Sequence, residues 1–239
     1  MRLNKFLAHA GVDSRRNCDD HIFDGKVTVN GEVVDHPGHQ VEPGEDEVRF
    51  QGNPVSLEDK VYFRYHKPVG QASTTEDPNI ENTLEPVVKP IDQRVYPVGR
   101  LDQDSRGLLL LTNDGDLTHV ISHPKHEITK EYEITLDQPP QDENLDQLRS
   151  GGISLDGRPV HPEEITVTGR RDLRIQLVEG RNRQIRRMFD RIGYTVRDLF
   201  RTRIGPITIN GLSEGEISSQ RDRLAERVDP REEFEHREH

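Results

Sequence analysis

At 239 residues, with 31% hydrophobic and 32% charged side chains, the chain can bury a core, and apolar runs such as 108–111 between turn signals exclude a disordered polymer. Its single cysteine, Cys18, excludes an intrachain disulfide framework and a zinc site built from several thiolates. No run reaches the roughly 18–20 apolar residues of a membrane span, and MRLNKFLAHAG lacks the apolar core of a secretory signal. A formal net charge of −11 excludes binding to phosphates through overall charge alone, so any basic surface has to be local.

LNKFLAHAG places Leu3, Phe6, Leu7 and Ala10 at helical spacing, with Gly11 as the stop. Asp13 or Ser14 then caps a second predicted helix through Arg15, Arg16 and Ile22 to Gly25. KVTVNGEVV follows, alternating around an Asn-Gly turn as a hairpin does. Packing the two helices side by side gathers Arg2, Lys5, Arg15, Arg16 and Lys26 near one face; spacing alone equally allows a solvated charged surface. The stretch HPGHQVEPGEDEVRFQGNPVSLED is composed as an exposed connection, which puts a boundary near residues 50–60.

From Val61 onward, β-like runs (VYFRYHKP, KEYEITL, EEITVTG, DLRIQLVE) alternate with the helical stretches DLTHVISH and RQIRRMFDRIG, predicting an α+β domain with a mainly antiparallel sheet and flanking helices. The densest motif is VGRLDQDSRGLLLLTNDGDL at 98–117. Its Gly-bounded loop carries Arg100, Asp102 and Asp104 into an apolar strand, which can hold a carboxylate rigidly over a cleft. The same Asp102 can merely satisfy turn amides. A calcium loop fits Asp102, Asp104 and Gly107 but fails at Arg106 and Asn113, and two acids two residues apart do not establish a glycosidase pair. His119, His123 and His126 suggest a metal only superficially, since Pro124 interrupts the helical spacing and a further ligand is needed.

The second dense motif is LVEGRNRQIRRMFDRIGYTV at 177–196. Ile185, Met188, Phe189 and Ile192 form its buried stripe; Arg181, Arg183, Arg186 and Arg187 are distributed around it, either as a solvated basic face or as ligands of a cleft and of phosphates. From Arg171 to Arg203 ten arginines stand against four acids, whereas the chain from Ser213 to His239 is rich in Glu and Asp. The acidic tail at 226–239 has little to bury and is expected to be flexible. Acidic excess with arginine outnumbering lysine also suits a salty cytoplasm, an expectation checked by activity against salt concentration.

Two resemblances follow from these blocks. Residues 2–48 resemble the S4 RNA-binding domain through both helices and the VNG turn. HKPVG at 66–70, GRLD, KEY and the arginine-rich helix, in that order, resemble the pseudouridine synthase family, specifically its RsuA/RluB branch, over about residues 2–212. The resemblance implies an S4-type domain at 1–55 and a catalytic domain at 60–225. It implies Asp102 as the catalytic carboxylate, Tyr132 packing against the target base, and Arg186 pairing with the carboxylate. RNA contacts fall to Arg2, Lys5, Arg15, Arg16, Lys26, Arg100, Arg181, Arg183 and Arg187. Ribosomal RNA or an assembling ribosomal particle is the implied partner, with large-subunit RNA favoured by VEGRNRQIRRM. No metal or organic cofactor, no membrane, a monomer and a cytoplasmic location complete the expectation. The competing class is a non-catalytic S4-domain RNA-binding or ribosome-assembly factor. Ser105-Arg106 and the ending GLSEGEISSQRDRL depart from the family's common pattern.

Overall fold

A computed structural model describes residues 1–219; the expected tail at 226–239, and the last residues of the expected catalytic domain, lie outside the described residues. The first unit holds α1 (Leu3–His9) and α2 (Arg15–Phe23), then β1 (Val27–Val29), β2 (Glu32–Val33), β3 (Val48–Phe50) and β4 (Asn53–Pro54), in a sheet ordered β2-β1-β3-β4. α1 buries Leu3, Phe6 and Leu7, the face its spacing predicts. Ser14 supplies the α2 cap, its Oγ accepting from the Asn17 amide at 3.2 Å. Asn30 and Gly31 turn β1 into β2 with φ of 52° and 86°, the left-handed pair that an Asn-Gly hairpin requires. Leu3, Phe6, Leu7, Cys18, Ile22, Val27, Val29 and Val48 share one core.

The second unit begins with β5 (Tyr62–Lys67), the short α3 (Glu85–Val88), β6 (Tyr96–Val98), β7 (Arg106–Thr112) and α4 (Gly115–Ser122). It continues through β8 (Lys130–Leu136), α5 (Asp142–Arg149), β9 (Ile153–Leu155), β10 (Arg158–Val160), β11 (Glu164–Val167) and β12 (Asp172–Leu177). α6 (Gln184–Arg191), β13 (Val196–Ile204), β14 (Ile207–Thr208) and β15 (Ile217–Ser219) complete it. Its main sheet is ordered β11-β12-β8-β13-β7-β5-β15, with β6 and β14 pairing to β7 and β13. Only β7 against β13 is parallel, so the sheet is mainly antiparallel, as the alternating runs predict. β7 reads as a continuous leucine run because both of its faces are covered. Leu108 and Leu110 enter one core, and Leu109 and Leu111 another. At roughly 1.5–3 kcal/mol per buried leucine, these four side chains anchor the sheet's centre.

Where β7 begins, Gly107 has φ of 119°, and a Cβ there would collide with the Arg201 backbone, which passes in the parallel register Arg201 to Gly107. Glycine is therefore required at the point where the loop before β7 meets β13. The two units touch through Lys5 Nζ to Asp116 at 2.7 Å and the Glu58 amide to the His9 carbonyl at 3.2 Å.

Candidate active site

The loop joining β6 to β7 is gripped from two sides. On one side the HKPVG turn is closed by Lys67, which is fully buried and whose Nζ donates to the Pro68 and Gln71 carbonyls at 2.8 and 2.7 Å. That turn meets the loop through the Gly70 amide to the Gln103 carbonyl at 2.7 Å, and Gln103 Nε2 to the Gly70 carbonyl at 2.9 Å. Ser73 adds a reciprocal pair with Leu101, donating from Oγ to its carbonyl at 2.8 Å and accepting from its amide at 3.0 Å. On the other side Arg186 donates from Nη2 to the Asp104 carbonyl and from Nη1 to the Val196 carbonyl, both at 2.7 Å. A loop held at 101, 103 and 104 leaves Asp102 little freedom.

Asp102 lines a cavity of about 320 Å³, a volume in the range of small-ligand sites. Its side chain is 29% exposed. The floor is the sheet itself: Lys130 and Tyr132 from β8, Leu177 from β12, and Leu199, Arg201 and Ile204 from β13. One wall is the 179–185 turn, and the exposed Arg100 stands at the edge. That turn is tied by the buried Gln184, whose Oε1 accepts from the Arg181 amide at 2.8 Å and whose Nε2 donates to Glu179 at 2.6 Å. Arg183 caps α6 in a left-handed conformation, φ 49°, strained for an arginine. The strain is matched by its contacts: two bonds to the Asp104 carboxylate at 3.1 and 2.8 Å, and an approach of 3.9 Å to Asp102.

The arginines therefore divide differently from the sequence expectation. Arg186 lies 3.3 Å from Asp104, and its hydrogen bonds run to the loop and to β13, so the guanidinium within ion-pair reach of Asp102 is Arg183. Helical spacing places Arg186 on the correct side of α6 but does not say which of two aspartates it meets. The Asp104 carboxyl is held below its ordinary range, chiefly by the Arg183 bonds. Arg181, expected on RNA, donates to Glu179 and to the carbonyls of Leu155, Arg158 and Pro159. Arg187 forms a two-bond pair with Asp156. Among the described residues no side-chain bond or ion pair involves Arg2, Arg15 or Arg16, which are exposed on the first unit, whereas Lys5 meets Asp116 and Lys26 meets Asp24.

Sequence reasoning missed the buried cations. Lys130 donates to the Ile128 and Val178 carbonyls at 2.9 and 3.3 Å, and burial, then the charge of Arg201, pulls its pKa down to about 8. Lys67 is depressed to about 8 by the same two causes. Both stand in motifs already singled out, HKPVG and KEY, where a lysine among apolar neighbours was the available signal. The rings of His119, His123 and His126 lie 4.8 to 6.2 Å apart, and no group of metal-ligating residues with the geometry to hold an ion exists among the described residues.

An aspartate over a base-sized cavity floored by a tyrosine, beside a separate small domain, can be matched to known families. Residues 61–191 match the RNA pseudouridylate synthase family and residues 1–48 match the S4 domain. The chain is 40% identical over 220 residues to the ribosomal large subunit pseudouridine synthase B of Bacillus subtilis, covering 90% of each protein. It belongs to the RNA pseudouridylate synthase family. It is likewise 40% identical to the dual-specificity RNA pseudouridine synthase RluF of Escherichia coli, over 90% of this chain and 74% of that one. A crystal structure of a pseudouridylate synthase superposes with a TM-score of 0.68 at 30% identity, covering 96% of this chain and all of the other. As a pseudouridine synthase with an N-terminal S4 domain, the chain is an isomerase acting on uridine in RNA.

Proposed function

We propose that this pseudouridine synthase isomerises a uridine of ribosomal RNA, in the large subunit, as a cytoplasmic monomer, with Asp102 as the catalytic carboxylate. The observation that carries the reading is Asp102 itself, on a loop fixed at both sides, facing a cavity whose floor presents Tyr132. Asp102 lies within a concave cavity rather than on a flat surface, and a base stacked in a helix cannot enter it, so the nucleotide has to flip out. Tyr132, 7% exposed and on the sheet floor, supports the flipped ring by contact. Arg100 at the edge is placed to meet the RNA from which the base has left.

Asp102 either attacks C1′ or removes a ribose proton to open a glycal route; both use the carboxylate, which has the Arg183 guanidinium 3.9 Å away. Arg186 acts one step back, holding the loop that carries Asp102. The exposed Arg2, Arg15 and Arg16 suit phosphate contacts that set position without reading sequence. Tritium released from C5-labelled uridine in ribosomal RNA tests the proposal. Wild type releases label, whereas Asp102→Asn binds the RNA and releases none; equal release by both would remove Asp102 from the chemistry.

A further inference from the structure

Arg201 is the most buried arginine of the cavity, 4% exposed, on β13, where Asp198 pairs with Arg106 and Arg203 with Glu131. Its Nε donates to the Leu108 carbonyl at 2.8 Å, the one hydrogen bond its guanidinium makes among the described residues, and the buried Nη2 has no acceptor there. A buried guanidinium without a counter-ion is costly, and an N–H left unmatched beside a cavity calls for a ligand. The sheet register shows where it points. Arg201 pairs directly with Tyr132 across β13 and β8, so both side chains stand on the same face, with Lys130 two residues along β8 on that face as well. All three line the cavity shared with Asp102.

This constellation is an electropositive floor. Burial and then the charge of Arg201 lower the pKa of Lys130, so two desolvated cations share this floor; Lys67, behind it, is lowered in the same way but has Asp102 and Asp104 acting against the shift. Asp102 has its own cationic neighbour in Arg183. What is missing is an acceptor on the floor, where the base itself would lie.

The geometry points to Arg201 as a further catalytic residue, one that binds the uracil ring's carbonyl oxygens and carries the negative charge left on the base when its N1–C1′ bond breaks. The inference rests on the uridine-isomerase reading above. In that step the bonding pair leaves with N1, giving a uracil anion, while Asp102 either bonds to C1′ or takes a ribose proton. After the ring turns, C5 supplies the pair for the C5–C1′ bond, the Asp102 bond breaks or the ribose proton returns, the C5 proton leaves and N1 takes one up. No oxidant or reductant is needed. A preorganised donor in a dry site is suited to such a charge, because it needs no reorganisation as the charge appears.

Leaving-group sensitivity separates this role from orientation of Asp102 or contact with phosphate. Fluorine at C5 stabilises the departing anion, so RNA carrying 5-fluorouridine at the target relies less on the floor. Single-turnover rates are measured for wild type, Arg201→Met and Arg201→Lys on uridine and 5-fluorouridine RNA, cleavage being read as loss of the parent nucleoside after complete digestion. Arg201→Met is expected to slow uridine by about 100-fold and 5-fluorouridine by no more than about tenfold, with RNA affinity unchanged and Arg201→Lys intermediate on uridine. Equal slowing of both substrates by Arg201→Met and Arg201→Lys, or a loss confined to RNA affinity, overturns the assignment. Arg201→Lys keeps a cation in the strand, and a thermal melt of each variant separates slow chemistry from failed folding. Absence of wild-type conversion of uridine would instead overturn the enzymatic reading on which it rests.

Discussion

On α2, Arg15 and Arg16 stand in solvent, and no ion pair involves them among the described residues. Around the cavity, Arg181, Arg183, Arg186 and Arg187 are each tied to a carboxylate or to backbone carbonyls. Both regions read as basic in the sequence, yet one offers its charge outward and the other uses it to brace a loop. In a chain with a net charge of −11, Arg2, Arg15 and Arg16 are the first unit's cations left without an ion pair among the described residues, and they are the ones expected to meet RNA phosphates. Arginine count is therefore a poor guide to RNA contact, and the partner of each guanidinium is a better one.

That contrast breaks most sharply at Arg186. Arg186→Met frees the Asp104 carbonyl and lets the Asp102 loop drift, so turnover should fall by about 100-fold with RNA affinity within roughly twofold, read by single-turnover kinetics and filter binding. A loss of affinity alone would return Arg186 to the phosphate-binding set. Reversing the outward charges, Arg15→Glu with Arg16→Glu, should weaken RNA binding by roughly tenfold at moderate salt, flatten the salt dependence and leave the single-turnover rate at saturating enzyme intact. Arg181→Ala should lower stability by about 1–3 kcal/mol in denaturant melts, since three carbonyls around the β9–β10 hairpin lose their donor, with little change in affinity. Lys5→Ala should shift stability by less than about 1 kcal/mol, because its pair with Asp116 is solvent-exposed. A much larger effect would mean that the joint between the two units depends on this pair more than its exposure allows.

Local chemistry made much of this readable in advance. The Ser14 cap, the Asn30-Gly31 turn, the α1 stripe of Leu3, Phe6 and Leu7, and the Ile185, Met188, Phe189 face of α6 depend on neighbours in sequence, and they stand as expected. The loop bearing Asp102 was legible as a held turn, but its clamps were not. Ser73 and Arg186 reach it across 28 and 82 residues of chain, and spacing carries no information about such pairings. Arg186 illustrates the limit: its side of the helix was readable, its aspartate was not. Arg201 was hidden more thoroughly. In VRDLFRTRI it looks like one of several polar positions of an alternating strand, and the register shift between Val196 and Asp198 spoils the two-residue period that, counted from Val196, would have flagged it as inward-facing.

Gly107 bears on how the enzyme meets its substrate. Because the start of β7 lies against the backbone of β13 too closely for any side chain, main chain sets the distance from the end of the Asp102 loop to the strand that carries Arg201, and the bonds of Ser73, Gln103 and Arg186 then hold the rest of the loop. The pocket behaves as a rigid gauge. Deformation on binding is then expected to fall to the nucleic acid, so a uridine in a weakly paired or already distorted stretch should be converted faster than the same nucleotide in a stable helix.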